Sequence, residues 1–283
     1  MAFPYNCFQF DMPTSLDQIV AATRRRVAEA KPEADLRQLD RQAASHVPRG
    51  FREGLESAGA KGLAVIAELK RASPSRGVIR SDFDPASLAK ELESSGAAAL
   101  SVLTEAEFFQ GSVENLRRAS ASTKLPCLRK DFIIDEFQLL EARANHADAV
   151  LLIVAALSPS ELKTLTRRAI EYNLDVLCEV HNQEELHSAA DAGCTLIGVN
   201  NRNLQTFQVD LETAMRLADS IPKNALRVAE SGINSGADIA RLRAAGYHAF
   251  LIGESLMKAK SPGEALKTLL SEAQRESYTL ARK

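Results

Sequence analysis

Eight short apolar runs recur along the chain, and each is followed by a stretch whose apolar residues repeat with helical spacing. The run Val150–Val154 is apolar throughout, which is typical of a parallel strand covered on both faces. Repeated strand–helix units predict an α/β fold, and eight of them predict a closed (β/α)8 TIM barrel. The predicted strands are Leu63–Lys70, Ala98–Thr104, Leu125–Phe132, Ala147–Ala156, Leu174–Val180, Leu196–Arg202, Leu226–Gly232 and Ala249–Gly253.

Residues at the predicted helix ends support this division of the chain. Asp84-Pro85 and Ser158-Pro159 each place a capping side chain before a proline in the first turn, and Gly96 is placed to end a helix. An open doubly wound sheet is the alternative arrangement. It usually has fewer strands, and the Gly-x-Gly-x-x-Gly fingerprint that often follows its first strand does not occur after Leu63–Lys70.

A helical extension precedes the first strand. Ser15 and Gln18 form a capping box that opens a helix through about Ala30, and a second helical stretch lies near Leu36–Ala44. Such an extension covers either the lower end of the barrel or its mouth, and the sequence does not choose between them. We predict a single domain over residues 1–283, with the N-terminal helical extension at 1–61 and the barrel at 62–274.

Charge and composition exclude several classes of function. The 35 basic and 37 acidic residues give a net charge of −2, so the chain lacks the basic excess of a nucleic-acid-binding protein. The one basic run, Arg24–Arg26, is interpreted as a solvated helix face. No apolar run is long enough to span a membrane and no signal peptide is recognisable, so we expect a cytoplasmic protein without a membrane partner.

Cysteine and histidine spacing predicts neither disulfides nor a metal site. The four cysteines lie far apart and form no C-x-x-C pair, which favours reduced thiols, and Cys178 is interpreted as a core residue. The five histidines are scattered without the spacing of metal ligands, so we expect no metal.

Polar side chains occur near the carboxyl ends of several predicted strands, where this fold builds its active sites. Their convergence on one mouth favours a binding or catalytic site, because grouping so many polar groups is costly unless they pair or bind something. The long loop Arg71–Phe83 directly follows the first strand and is expected to be a functional lid. The strand-end residues are Glu68, Lys70, Lys130, Glu179, Asn200, Arg202 and Glu230.

Small residues after the seventh and eighth strands predict a phosphate cradle. Ser231-Gly232 and Gly253 allow backbone N–H groups to approach an anion closely. Glu254 does not fit this pattern, because its carboxylate would repel a phosphate. We expect its side chain to point away while its backbone N–H donates.

Short motifs follow one another along the chain at the predicted strand ends. They are Glu68-Leu-Lys70-Arg-Ala-Ser73-Pro74-Ser75, Ser101-Val-Leu-Thr104-Glu105, Phe108-Phe109-Gln-Gly111, Leu128-Arg-Lys130-Asp131-Phe132-Ile133, Cys178-Glu179-Val180, Gly198-Val-Asn200-Asn-Arg202, Ala229-Glu230-Ser231-Gly232-Ile233 and Phe250-Leu-Ile-Gly253. Each motif alone is weak, but all of them in order resemble the indole-3-glycerol phosphate synthase family of tryptophan biosynthesis, from about Ser15 to Leu270. Glu254 departs from the small hydroxyl residue of some members, and Glu105 from a frequent aspartate.

The resemblance implies a carbon–carbon lyase. The implied reaction closes the ring of 1-(2-carboxyphenylamino)-1-deoxyribulose 5-phosphate to indole-3-glycerol phosphate, with loss of carbon dioxide and water. It implies a small phosphorylated substrate and no cofactor. We expect a monomer or a weak homodimer.

The implied reaction assigns roles to the strand-end residues. Lys130 is the expected general acid at the substrate ketone, and Glu179 is the expected base. Lys70, paired with Glu68, is expected to hold the substrate's carboxylate and phosphate or to donate a proton, and which lysine acts in which step stays open. By resemblance, Asn200, Arg202 and Glu230 orient the carboxylate and hydroxyls, Phe109 and Phe132 wall the aromatic ring, and Ser73 with the backbone amides of Ser231, Gly232, Gly253 and Glu254 binds the phosphate.

Other functions on the same barrel stay open at this point. Two lysines, Lys70 and Lys130, are compatible with a Schiff-base aldolase. An aminosugar-phosphate isomerase would use the same phosphate site. A barrel that binds a phosphorylated metabolite without turning it over is the non-enzymatic alternative, since barrels host many functions.

Overall fold

A computed structural model describes residues 15–280, and its central element is a closed barrel of eight parallel strands. Each strand pairs in parallel with the next along the chain, and the last pairs with the first. The predicted (β/α)8 barrel is therefore confirmed. The strands are β1 (Ala64–Leu69), β2 (Ala99–Leu103), β3 (Cys127–Lys130), β4 (Ala149–Ile153), β5 (Asp175–Val180), β6 (Leu196–Asn200), β7 (Leu226–Glu230) and β8 (Ala249–Ile252).

Helices precede the barrel, connect its strands and follow the last of them. Ser15 and Ser158 both close capping boxes, as predicted, and Gly96 has a φ of +95°, the left-handed conformation expected after a helix. None of the helices within residues 15–280 is both long and apolar enough to cross a bilayer. The helices are α1 (Leu16–Glu33), α2 (Leu36–Ser45), α3 (Phe51–Lys61), α4 (Pro85–Ser94), α5 (Val113–Ser120), α6 (Glu136–Ala144), α7 (Pro159–Glu171), α8 (Gln183–Asp191), α9 (Glu212–Leu217), α10 (Gly236–Ala244), α11 (Glu254–Lys258) and α12 (Pro262–Leu280).

Alternating side chains divide the core into two layers. In β1, Ala64 and Ile66 belong to the cluster that fills the barrel, whereas Val65 and Leu69 belong to the cluster between the barrel and the helices. Because successive strand residues point to opposite faces, Glu68 continues the inward row above Ile66. The same alternation directs the other strand-end polar residues into the mouth.

The helices before β1 contact both ends of the barrel. Phe51 and Leu55 of α3 are fully buried in the inner cluster, and Gly54 of α3 lies against Pro126, which precedes β3. Helix α3 therefore closes the lower end. Leu16 and Ile19 of α1 instead line the cavity at the mouth.

Helix α3 has weak local signals and was not predicted from the sequence. Its N-cap is Gly50, which has a φ of +71° and provides no side-chain cap. Two glycines inside the helix, Gly54 and Gly59, also have low helix propensity. This helix is specified by tertiary packing of Phe51 and Leu55 rather than by local signals.

The expectation of four reduced cysteines is wrong for one pair, because Cys178 and Cys194 form a disulfide. Cys178 is fully buried and points outward from β5 into the barrel–helix layer, as its interpretation as a core residue required. Cys194 lies between α8 and β6. The strand–helix–strand unit thus brings together two thiols that are 16 residues apart. Cys127 is free and buried, and Cys7 lies outside the described residues.

A buried carboxylate ties the segment between α2 and α3 to the barrel. Asp148, directly before β4, accepts hydrogen bonds from His46 Nε2 at 3.0 Å, from the backbone and side chain of Arg49, and from the backbone N–H of Cys127 at 2.7 Å. Burial alone would raise the pKa of Asp148, but the hydrogen bonds from His46 and Arg49 outweigh it and lower that pKa.

We expect Asp148→Asn to lower the free energy of unfolding by about 3 kcal/mol, because it removes the buried carboxylate charge that pairs with the half-buried Arg49. Urea denaturation checks this. Because the carboxylate stabilises the fold only when it is ionised, the difference from the unmodified chain should shrink as the pH falls below about 4. The control is Asp191→Asn, whose carboxylate is exposed and faces His187 at 3.5 Å. An equal loss in both variants would contradict the structural role of Asp148.

Candidate active site

A cavity of about 600 Å³ opens at the carboxyl ends of the strands. Residues from every strand or the turn after it contribute to its wall, and the wall contains all but one of the predicted site residues. The exception is Ser73, which is buried in a small hairpin (Ala72–Ser73 with Gly77–Val78) inside the predicted loop Arg71–Phe83. The residues brought together are Glu68, Lys70, Phe109, Lys130, Phe132, Glu179, Asn200, Arg202, Glu230, Ser231, Gly232, Gly253 and Glu254.

One lysine and two carboxylates form the floor of this cavity. Lys130 Nζ donates to Glu179 Oε2 at 2.9 Å and to Glu230 Oε2 at 2.6 Å. Burial lowers the pKa of Lys130, but the negative charges of Glu179 and Glu230 more than offset this and place that pKa above its usual value. Lys130 is therefore an ammonium ion that bridges two strands.

The two carboxylates differ in their protonation. Burial would raise the pKa of Glu179, but Lys130 and His181 hold that pKa well below its usual range. Burial raises the pKa of Glu230 to about 7, and the neighbouring Glu179 charge acts in the same direction. Glu179 is thus ionised at neutral pH, while Glu230 titrates there.

Gly198 makes room for Glu230. A Cβ at Gly198 would collide with Glu230 Oε1, and this oxygen has no hydrogen-bond partner among residues 15–280. Because Gly198 of β6 has no side chain, the carboxylate of Glu230 on the neighbouring strand β7 can turn toward Lys130.

A second ion pair lies on β1. Lys70 Nζ donates to Glu68 Oε1 at 2.7 Å, and both side chains are largely buried. Gly253 adjoins this pair, because a Cβ there would collide with Glu68. The backbone after β8 therefore approaches β1 closely at the mouth.

The turn after β7 has positive φ angles at two consecutive residues. Ser231 and Gly232 have φ values of +65° and +79°, which lie in the left-handed region. Both residues line the cavity.

Three cations surround the carboxylate of Glu254 at the rim. Lys258 Nζ donates to it at 2.6 Å, and guanidinium nitrogens of Arg76 and Arg202 lie 3.2 and 3.5 Å away. These cations offset the negative charge that makes Glu254 an awkward neighbour for a phosphate. Arg76 belongs to the loop after β1, so this cluster also joins three of the loops around the mouth.

Two aromatic rings form part of the wall. The centroids of Phe109 and Phe132 are 6.2 Å apart, with a tilt of 38° between the rings. Glu105 fixes the turn that carries Phe109, because its carboxylate accepts backbone N–H groups from Glu107, Phe108 and Phe109 at 2.7–3.1 Å. This supporting role was not recognised in the sequence.

A buried network connects α1 to the mouth. Arg26 of α1 donates to Asp131 at 3.1 Å and lies 3.6 Å from Glu105. Asp131 also accepts from Arg129 at 3.0 Å and from Thr104 at 2.7 Å. The interpretation of Arg24–Arg26 as a solvated face is therefore wrong for Arg26, while Arg24 and Arg25 are exposed.

His181 lies next to the cavity, although no role for it was predicted from the sequence. Its Nε2 lies 3.4 Å from Glu179 Oε1, behind the cavity wall. The only signal in the sequence is that His181 follows the strand-end Glu179 by two residues, which does not distinguish a functional histidine from a surface one.

Comparison with known proteins identifies the family. The family model of indole-3-glycerol phosphate synthase matches residues 16–269 of the sequence. The chain belongs to the indole-3-glycerol phosphate synthase family. The resemblance inferred from the motifs is thus confirmed over nearly the whole barrel and α1.

Two curated relatives support this family membership, and both are named indole-3-glycerol phosphate synthase. The indole-3-glycerol phosphate synthase of Koribacter versatilis is 58% identical over 259 residues, which cover 92% of this chain and 100% of that protein. The protein of the same name from Chlorobium luteolum is 51% identical over 248 residues, covering 87% and 94% of the two chains. Among solved structures, 3-hexulose-6-phosphate synthase from Salmonella typhimurium has a TM-score of 0.61 at 12% identity, covering 76% of this chain and all of that one. This last likeness shows the fold alone.

We expect one glutamate carboxyl group to titrate near pH 7 in carboxyl-labelled protein, and we assign it to Glu230. A ¹³C NMR titration checks this, with Glu230→Gln identifying the resonance. Lys130→Met should move the titration of Glu230 above pH 7, because it removes the cation that opposes the effect of burial. A Glu230 resonance that titrates near the ordinary glutamate value of about 4.3 would contradict the assignment.

Proposed function

We propose that this chain converts 1-(2-carboxyphenylamino)-1-deoxyribulose 5-phosphate into indole-3-glycerol phosphate, carbon dioxide and water. Family membership makes it a decarboxylating lyase of tryptophan biosynthesis. The observation that supports the residue roles best is the position of Lys130, held as an ammonium between Glu179 and Glu230 at the floor of the cavity.

Lys130 is suited to protonate the substrate ketone. When the aromatic carbon that bears the carboxylate attacks the ketone carbon, the ketone oxygen becomes an alkoxide, which is basic enough to take a proton even from an ammonium of raised pKa. Loss of carbon dioxide then returns the bonding electrons to the ring. Glu230 lies 2.6 Å from Lys130 and titrates near neutrality, so it is a proton source that restores the ammonium.

Glu179 is the proposed base. It is ionised and buried at the same floor, so after decarboxylation it can accept a proton from the ring CH2 beside the nitrogen, while the hydroxyl group takes a proton from a lysine ammonium and leaves as water. Asn200 lies on the adjacent strand, with its Oδ1 accepting the backbone N–H of Arg202 at 3.0 Å, and this contact leaves the amide NH₂ to orient the substrate's oxygens.

We assign the two anionic ends of the substrate to different residues of the cavity wall. We assign the phosphate to the backbone amides of Ser231, Gly232, Gly253 and Glu254, with Lys70 nearby. Arg202 is the proposed contact for the carboxylate, and Phe109 and Phe132 would flank the aromatic ring. We assign no phosphate contact to Ser73 in this conformation, because its side chain does not face the cavity.

The charge state of Lys130 also weighs against a Schiff-base aldolase. A nucleophilic lysine must lose its proton, whereas the carboxylates around Lys130 hold its pKa above the usual value. Family membership likewise favours the lyase over an aminosugar-phosphate isomerase or a non-catalytic binding barrel.

Three broader expectations remain proposals. We propose that the chain acts in the cytoplasm, as one domain, and as a monomer or weak homodimer. Across residues 15–280, no three His, Cys, Asp or Glu side chains are grouped to hold a metal ion.

We expect Lys130→Ala and Glu179→Gln to fold normally yet to lose product formation by about 100- to 10,000-fold, because each removes a group that transfers a proton. Indole fluorescence after mixing with the substrate measures the rate. Lys267→Ala and Glu264→Gln are matched controls, since these exposed side chains of α12 form an ion pair with each other at 2.8 Å and lie outside the cavity. Near-normal turnover in either site variant would refute the role assigned to that residue.

We expect Gly232→Ala to raise the KM for substrate about tenfold, because the new Cβ collides with Val209 beside the proposed phosphate site. Gly193→Ala is the matched control. Gly193 has a φ of +80°, close to that of Gly232, but a Cβ there would meet no described atom within 4 Å. Both variants should lose similar stability through left-handed strain, and only Gly232→Ala should bind inorganic phosphate more weakly. Equal KM values would rule out the cradle.

A further inference from the structure

His181 lies between two carboxylates and outside the cavity. Its Nδ1 is 2.9 Å from Glu185 Oε2, and its Nε2 is 3.4 Å from Glu179 Oε1. The ring is nearly buried, with 11% of the side chain exposed, and Nε2 forms no hydrogen bond within the described part of the chain. A buried polar atom without a hydrogen bond is costly, so its approach to Glu179 requires an explanation.

The first turn of α8 fixes the orientation of this ring. Glu185 Oε2 accepts two hydrogen bonds from His181, one from the side chain and one from the backbone N–H, the latter at 2.8 Å. Its Oε1 accepts from the side chain of Asn182 at 2.7 Å, and the backbone N–H of Glu185 donates to Asn182 Oδ1 at 2.9 Å. The helix N-terminus therefore holds Glu185, Glu185 holds the imidazole, and the imidazole faces Glu179.

We propose that His181 is a positioning residue for the proposed base: it is a buried imidazolium that directs one N–H to Glu185 and the other toward Glu179 Oε1. Lys130 donates a hydrogen bond to Oε2 of Glu179, so a cation faces each oxygen of this carboxylate. His181 thereby keeps Glu179 ionised and limits rotation of its carboxylate before the substrate's proton arrives. This inference rests on the proposed function of Glu179.

The electrostatics of the surrounding groups agree with this geometry. Burial lowers the pKa of His181, but Glu179 and Glu185 outweigh it and raise that pKa to about 10. His181 is one of the groups that lower the pKa of Glu179. The charged groups that face Glu179 and His181 are Lys130 from β3, Glu230 from β7 and Glu185 from α8. Glu68 from β1 acts on Lys130 and Glu230, and Lys70 is paired with Glu68.

Kinetics of substitutions at His181 test the proposal. We expect His181→Ala to lower kcat about 10- to 100-fold, the cost of a misplaced reacting group, while KM stays nearly unchanged because His181 does not line the cavity. His181→Gln keeps a neutral donor near the Nε2 position, so it should recover part of kcat. In both variants the acid limb of the kcat profile should move to higher pH by about one unit, because Glu179 loses a neighbouring cation.

His187→Gln is the matched control, since His187 is exposed on α8 and contacts Asp191. Its kcat, KM and pH profile should equal those of the unmodified chain. Variants of His181 that lose thermal stability but keep kcat and the pH profile would reduce His181 to a structural role and overturn the proposal.

A measurement without substrate separates this inference from the proposed function. In a ¹³C NMR titration, the Glu179 carboxyl should titrate at higher pH in His181→Gln than in the unmodified chain, with Glu179→Gln identifying its resonance. If the unmodified chain forms no indole product, the proposed function fails while this titration still tests the contact. An unchanged Glu179 titration would refute the contact even if the enzyme is active.

Discussion

The ammonium of Lys130, shared by two buried carboxylates, is the interaction on which the rest of the mouth depends. A buried charge is tolerated only when it is paired and hydrogen-bonded. Lys130 meets this requirement through Glu179 and Glu230, which come from different strands. Closing the barrel is therefore what makes the site possible, because only a closed sheet brings β3, β5 and β7 to face one another across an interior.

The surrounding structure leaves space for the buried group of Lys130, Glu179 and Glu230. The absence of a side chain at Gly198 leaves space for Glu230, and the inner layer below is filled by aliphatic residues such as Leu128 and Leu151. His181 is a second group beside Glu179 that lowers its pKa, whereas burial and the charge of Glu179 raise the pKa of Glu230. Glu179 and Glu230 therefore hold their protons with different affinity although both contact the same lysine, as expected for an acid–base site.

Much of the fold and most of the cavity wall were predictable from the sequence because they follow from local periodicity. A strand of a barrel directs alternate residues inward, so Glu68, Lys130 and Glu179 could be placed at one mouth once eight strands were recognised. The family was recognisable because its motifs occur at those same strand ends.

The features that the sequence did not reveal depend on contacts between distant segments. Arg26 looked like part of an exposed basic run because its partner Asp131 lies 105 residues away. Helix α3 has no side-chain cap at its N-terminus and forms because Phe51 and Leu55 pack into the lower end of the barrel. The link between Cys178 and Cys194 needs the geometry of one strand–helix–strand unit. The position of His181 beside Glu179 could not be predicted, because it depends on the direction in which the turn after β5 leaves the strand.

The contact between α1 and the mouth has a consequence for biosynthesis of the chain. Arg26 is synthesised early, but Asp131 follows 105 residues later, so translation at about 5–20 residues per second separates the two by at least 5 s. During that interval the apolar face of α1, including Leu16 and Ile19, has no barrel to pack against. Helix α1 is thus made before the strand whose end it packs against, and its apolar face stays uncovered at least until β3 exists.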